Sequence, residues 1–245
     1  MSDPAETRLA EKARLLRLGR GSLRDDVRQY LRDAIIQGDL KPGEKIAEAR
    51  LARELGLSQA PIREALRELE HVGLVVNHSH KGTFVRKITG RDAWEMYTLR
   101  AELEGMAARL ALPELGPADY ERLDDFIVQM VRVATAGSSD EFTQIDVVFH
   151  RFICERSGHT LLLRTWQSIN PLNWTAVTVA TLKHRTLSEL AARHRAIVDA
   201  FRRGDVAEVE SVMKDHVLAL ASEVRRDLDA ADQGGATTAP TFPAS

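Results

Sequence analysis

Residues 48–71, EARLARELGLSQAPIREALRELEH, constrain the fold more tightly than any other stretch of this chain. Leu51, Ala52 and Leu55, then Leu57, then Ile62, Ala65, Leu66 and Leu69 recur at helical spacing on either side of a short break, so two helices share one small core. Gly56 suits the left-handed position that ends the first helix, and Ser58 suits the N-cap of the second. Pro61 falls in the first turn of that second helix, where proline is tolerated. Off the apolar stripe lie Ser58, Gln59 and Arg63, at the end of a helix-turn-helix that meets base edges. Arginine bridges guanine and glutamine pairs with adenine, so these residue types at this position point to DNA reading. The competing interpretation is a plain pair of helices whose arginines form a solvated face.

The next stretch, GLVVNHSHKGTFVRKI, has two β-rich runs, Leu74 to Asn77 and Thr83 to Lys87, around a polar tip containing Gly82. This predicts a β-hairpin wing. Upstream, Leu23, Val27, Tyr30, Leu31, Ala34 and Ile35 form a helical stripe that stops before the loop GDLKPGEKI. Three helices plus a hairpin make a winged helix, and the wing favours the DNA reader over the plain helix pair.

The runs LRDAIIQGDLKPGEKI, LARELGLSQAPIREALRELEHVGLV and KGTFV, in order over residues 23–86, resemble the N-terminal domain of GntR-superfamily transcription regulators. The resemblance implies DNA contacts at Arg63, at Ser58 and Gln59, and in the wing around His78 and Lys81, with Arg50 as a further phosphate contact. One departure is Gln59, where family members often carry Arg, which changes the base preference expected there.

A chain of 245 residues exceeds the usual single-domain size. Its charge is uneven: residues 1–90 hold 17 Lys and Arg against 13 Asp and Glu, while the remainder holds 17 against 23. The positive half is the expected reader, and phosphate neutralisation asks only that its arginines cluster on one face. No apolar run approaches the ~20 residues that span a membrane, and the start of the chain is polar, so a cytoplasmic protein without membrane contact is expected. Cys154, the single cysteine, falls in an apolar helical segment and reads as a buried, inert thiol. The expected organisation is a flexible arm over 1–20, a winged helix over 21–88, a helical domain over 89–230 and a disordered tail over 231–245.

From residue 91 the chain shows helical patterns broken at LPELGP, AGSS, RSGH, Pro171 and RRGD, about six or seven helices without a strand pair. A mainly α protein follows, with an all-α antiparallel bundle as its C-terminal domain. Asp146 and His150 stand beside the stripe Phe142, Ile145, Phe149 and Ile153. His194 falls on the stripe Leu187, Leu190, Ala191, Ile197, Val198 and Phe201, and His216 on Val209, Val212, Met213 and Leu220. His194 precedes Gly204 by ten residues and His216 follows Asp205 by eleven, so in an antiparallel hairpin both lie about 15 Å from the same turn. Three imidazoles and a carboxylate converging in a bundle suit a divalent metal, zinc or nickel, with one or two open positions. Taken singly, each is more simply a hydrogen-bonded core residue. His71, His78, His80, His159 and His184 lack such placement and read as surface, wing or loop residues.

DVVFHRFI, RHRAIVDAFRRGD and VMKDHV resemble the metal-binding version of the FCD ligand domain of the FadR-type branch of the superfamily. The resemblance matches that domain's Asp and three His to Asp146, His150, His194 and His216. Departures are Arg193, where an acidic residue commonly precedes the His, and His159, where Asn is common. It further implies a small carboxylate effector near the metal, clamped by Arg100 of YTLRAELEGMAARLA; an i,i+4 pair with Glu104 explains Arg100 equally well. The expected function is a ligand-responsive, homodimeric regulator, most often a repressor, on a near-palindromic operator, with coupling through residues 87–92. The alternatives are a metal-dependent enzyme at the His and Asp site, or a constitutive DNA-binding protein whose metal is structural.

Overall fold

The computed structural model describes residues 23–234, and the chain divides after Ile88 into two compact units. The expected arm over 1–20 lies outside the described residues. In the first unit, α1 (Leu23–Ile36) is followed by β1 (Lys45–Ile46), α2 (Glu48–Leu55), α3 (Gln59–His71), β2 (Val75–His78) and β3 (Gly82–Val85). The core joins Val27 and Leu31 of α1, Leu51 and Leu55 of α2, and Ile62, Leu66 and Leu69 of α3, all buried. Gly56 ends α2 in the left-handed region at φ 65°, which a Cβ would disfavour.

The wing forms as the sequence predicts, with Val76 opposite Phe84 and Asn77 opposite Thr83 in an antiparallel pair. A third strand was not predicted. Lys45 and Ile46 pair with Phe84 and Thr83, giving the sheet order β1-β3-β2. The segment GDLKPGEKI is therefore not wholly loop: Gly43 N–H donates to the Val85 carbonyl, Val85 N–H donates to the Glu44 carbonyl, and Ile46 turns into the core.

The second unit contains α4 (Gly90–Ala111), a 3₁₀ turn (Leu112–Glu114), α5 (Pro117–Thr135), α6 (Ser139–Arg156), α7 (Thr160–Ser168), α8 (Pro171–Thr181), α9 (Leu187–Ala192), α10 (His194–Arg203) and α11 (Val206–Gly234). Thr89 and Asp92 cap α4 reciprocally, each side chain satisfying the other's backbone N–H. Helices α4 and α11 lie antiparallel at close range. A Cβ on Gly90 would come within 2.7 Å of the Arg225 carbonyl oxygen, and one on Gly105 within 2.6 Å of the Lys214 side chain. The main core gathers Phe126, Met130, Phe142, Phe149, Ile153, Trp166, Ile197 and Phe201 from α5, α6, α7 and α10.

Two expectations need correction. The stripe from Leu187 to Phe201 does not belong to one helix: the ladder breaks at Arg193, so the described residues of this unit hold eight α-helices rather than six or seven. Arg193 keeps right-handed dihedrals, φ −63° and ψ −26°, so the apolar phase runs through the break. The tail expected over 231–245 also begins too early, because α11 continues through Gly234; Ala231 and Gln233 are good helix formers ahead of the paired glycines. Residues 235–245 lie outside the described residues.

Candidate functional site

Two sites emerge, one in each unit. In the first, Ser58 caps α3 in an extended conformation without a side-chain hydrogen bond, which leaves its hydroxyl and the Gln59 side chain exposed at the helix start. Arg63 follows one turn later. Its Nε lies 3.1 Å from Glu48 Oε2, and its side chain keeps about half its surface open. Arg50 Nε pairs with Glu54 at 2.6 Å on the exposed side of α2. In the wing, Lys81 N–H donates to the His78 carbonyl and closes the turn, and the His78 ring meets Phe84 edge-on at 5.6 Å. Both side chains remain exposed. Arg67, exposed and four residues after Arg63, extends the basic face of α3; helical spacing alone would have found it.

In the second unit the four inward polar residues meet. Phe142, Phe149 and Ile153 pull one face of α6 into the core, which carries Asp146 and His150 with them. His194 opens α10, and His216 lies beside it on α11. Ring centroids stand 4.6 Å apart for His194 and His216, 5.2 Å for His150 and His216, and 5.4 Å for His150 and His194. One nitrogen from each of the three imidazoles lies within 4.8 Å of the others. Asp146 Oδ1 is 3.1 Å from His194 Nε2, while Oδ2 accepts from Thr175 Oγ1 at 3.1 Å.

The donor set fits a cation. His194 Nε2 is buried and close to Asp146, yet it is not aligned with the carboxylate as a hydrogen bond. Two ligands of one ion held at ~2.1 Å stand ~3 to 4 Å apart; Asp146 Oδ1 and His194 Nε2 fall in that range at 3.1 Å, and the three imidazole nitrogens lie within 4.8 Å of one another. His194 Nδ1 lies 3.3 Å from the Ala191 carbonyl; a proton donated there would leave the Nε2 lone pair free for a cation. Burial, then the neighbouring imidazoles of His194 and His150, then Arg193 and Arg100, push the His216 pKa well below its ordinary value. That ring is neutral, as a ligand must be. Burial alone would raise the Asp146 carboxyl, but its close contact with His194 and the neighbouring His150 and Arg100 hold it below the usual carboxylate range.

A residue the sequence offered only as a partner for Arg100 supports the cluster from behind. Glu104 Oε2 lies 2.8 Å from His150 Nδ1, and Glu104 Oε1 accepts from Arg100 Nε at 2.5 Å and Trp166 Nε1 at 2.6 Å. This is the carboxylate-behind-histidine arrangement that orients metal-ligating imidazoles. Arg100 thus makes the i,i+4 pair and also lines the same cavity as Asp146, His150, His194 and His216. The cavity holds about 30 Å³ of space and is partly open to solvent. Arg193 lines it too. Its Nη2 donates to the His216 carbonyl at 2.6 Å, and its buried Nη1 has no hydrogen-bond partner among the described residues. The remaining histidines sit elsewhere: His159, half-buried, accepts from Leu162 N–H as the N-cap of α7, and His184 is exposed beside Glu223 and Asp227. Cys154 is buried, and burial pushes its thiol up, away from reactivity. No helix among the described residues is long and apolar enough to cross a membrane.

Both units have counterparts among known proteins. Residues 23–85 match the model of bacterial regulatory proteins of the gntR family, and residues 95–219 match the FCD domain. A probable D-xylose utilization operon transcriptional repressor of Paenarthrobacter nicotinovorans is 34% identical over 203 residues, covering 83% of this chain and 89% of that protein. A gluconate operon transcriptional repressor of Bacillus licheniformis is 31% identical over 159 residues, 63% of each chain. The solved structure of E. coli McbR/YncC shares the fold, with a TM-score of 0.65 at 22% identity over 84% of this chain and 98% of that one. These relatives are regulators and not enzymes. The chain belongs to the GntR family of bacterial transcription regulators and carries an FCD domain after its winged helix.

Proposed function

We propose that this regulator is a cytoplasmic, homodimeric repressor of the FadR-type branch whose grip on a near-palindromic operator is set by a small carboxylate bound beside a divalent metal, zinc or nickel. The buried, unpartnered Nε2 of His194 among His150, His216 and Asp146 is the observation that carries the metal half of this reading. When bound, the metal supplies a positive charge and open positions for a carboxylate oxygen. Arg100 supplies the second hold: Glu104 fixes its Nε, which orients the rest of the guanidinium in the cavity. Burial opposes the charge of Arg100, but Glu104 and Asp146 outweigh it and raise its pKa, so the clamp stays cationic. The gluconate operon named for one relative fits an effector of this class. On the DNA side, the exposed starts of two recognition helices, each with Ser58, Gln59 and Arg63, read two half-sites about one helical turn apart, with Arg50, His78 and Lys81 at the backbone.

Elemental analysis of the dialysed protein and of a His194→Ala, His216→Ala double variant tests the site. Near-stoichiometric metal in the natural chain and its loss in the variant are expected. Metal absent from both, after zinc, nickel and manganese have been offered, would leave the four residues as a hydrogen-bonded core. Operator affinity identical with and without every carboxylate tried would reduce the protein to a constitutive DNA binder.

A further inference from the structure

The unpartnered guanidinium edge of Arg193 is the buried polar group that the proposed clamp leaves unused. We infer that Arg193 is a specificity residue that reads a second anionic group on the effector, so the ligand is a small dicarboxylate rather than a monocarboxylate. This inference rests on the carboxylate reading of the cavity and narrows it.

Three observations carry it. First, Arg193 is held by one end only. Its Nη2 is fixed on the His216 carbonyl at 2.6 Å, which places the guanidinium at the cavity wall, while Nη1 is buried and makes no hydrogen bond among the described residues. A buried donor left unmade is costly, and an arginine donor is most cheaply satisfied by a carboxylate. Second, Arg193 takes part in none of the ion pairs found among the described residues, whereas Arg100 is paired with Glu104 at 2.5 Å. Third, the two arginines that line the cavity come from different elements. Arg193 stands on the link between α9 and α10, next to His194, whereas Arg100 comes from α4. The two guanidinium groups thus approach the cavity from different elements, as two separated carboxylates require.

Calorimetric titration of the zinc-loaded full chain with succinate and with butyrate, which match in length and differ in one carboxylate, tests the assignment. The natural chain is expected to bind succinate about tenfold tighter or better than butyrate. Arg193→Gln should bring the two affinities within about twofold by weakening succinate alone, with zinc content unchanged. Arg193→Lys, which keeps the charge and loses the fork, should retain part of the preference and serves if the glutamine variant does not fold. A succinate preference that survives in Arg193→Gln, or equal affinities in the natural chain, overturns the role of Arg193 and leaves the carboxylate reading standing. Zinc bound but no heat from either acid, nor from malonate, malate or citrate, overturns both.

Discussion

At the scale of single residues the C-terminal domain depends on Glu104. Its carboxylate is buried, and it touches a guanidinium, an indole N–H and an imidazole from three helices. Burial alone would raise its carboxyl, but the charges of Arg100 and His150 and its close contacts with both lower it from 4.5 to about 2. A depressed carboxylate pKa stabilises the fold above its unfolded value, and that stability is lost as pH falls through the folded value. Glu104→Gln keeps an acceptor for Trp166 but leaves Arg100 facing a neutral amide, which should cost about 3 kcal/mol at pH 7. Urea unfolding of the two proteins across pH reads this directly. The gap should hold at neutrality, narrow below the ordinary value of 4.5 and close near 2, the two ends of the shift. A gap independent of pH would mean that shape rather than charge is what Glu104 contributes. The sequence offered Glu104 only as the neighbour of Arg100, because Trp166 lies 62 positions away and its partnership has no local signature.

At the scale of elements, the pairing of α4 with α11 depends on small residues at the contact. Gly90 stands where an added Cβ would reach within 2.3 Å of Asp229 Oδ1 and 2.7 Å of the Arg225 carbonyl. The aspartate can swing aside; the carbonyl cannot move without displacing its helix. Gly90→Ala should therefore destabilise the domain by about 1 to 3 kcal/mol, an overpacking cost that outweighs the helix propensity gained. A lowered thermal midpoint is expected, and an unchanged or raised one would show that α11 shifts freely. How far elements are legible follows from how local their causes are. The helix-turn-helix was readable because Gly56, Ser58 and the stripe from Leu51 to Leu69 state both helices and their turn within 19 residues. The strand Lys45–Ile46 is too short to show a period of two. The break at Arg193 keeps right-handed dihedrals, so periodicity passes straight through it. The level placement of His194 and His216 was nonetheless legible, because counting from the turn at Gly204 survives that break.

At the scale of the whole molecule, a ligand-responsive regulator of the kind proposed would couple two sites on different units, and coupling has a thermodynamic signature that needs no knowledge of the path between them. If a carboxylate lowers operator affinity by some factor, operator DNA must lower affinity for that carboxylate by the same factor, since both describe one free-energy difference between two states. A coupling in the usual range, about 1 to 3 kcal/mol, makes the shift about 5- to 150-fold and measurable from either side. Fluorescence anisotropy of labelled operator with and without ligand gives one factor, and calorimetry of ligand into free and operator-bound protein gives the other. Arg63→Ala supplies the control. It removes an exposed side chain at the start of α3 that pairs with Glu48 among the described residues. It should therefore weaken operator binding by about 1 to 3 kcal/mol and leave metal content and ligand affinity of the free protein untouched. Unequal factors at equilibrium would mean that the ligand acts at a place other than the one titrated. Equal factors of one would mean that both domains bind their partners without communication, and the winged helix and the histidine site would then be two functions carried on one chain.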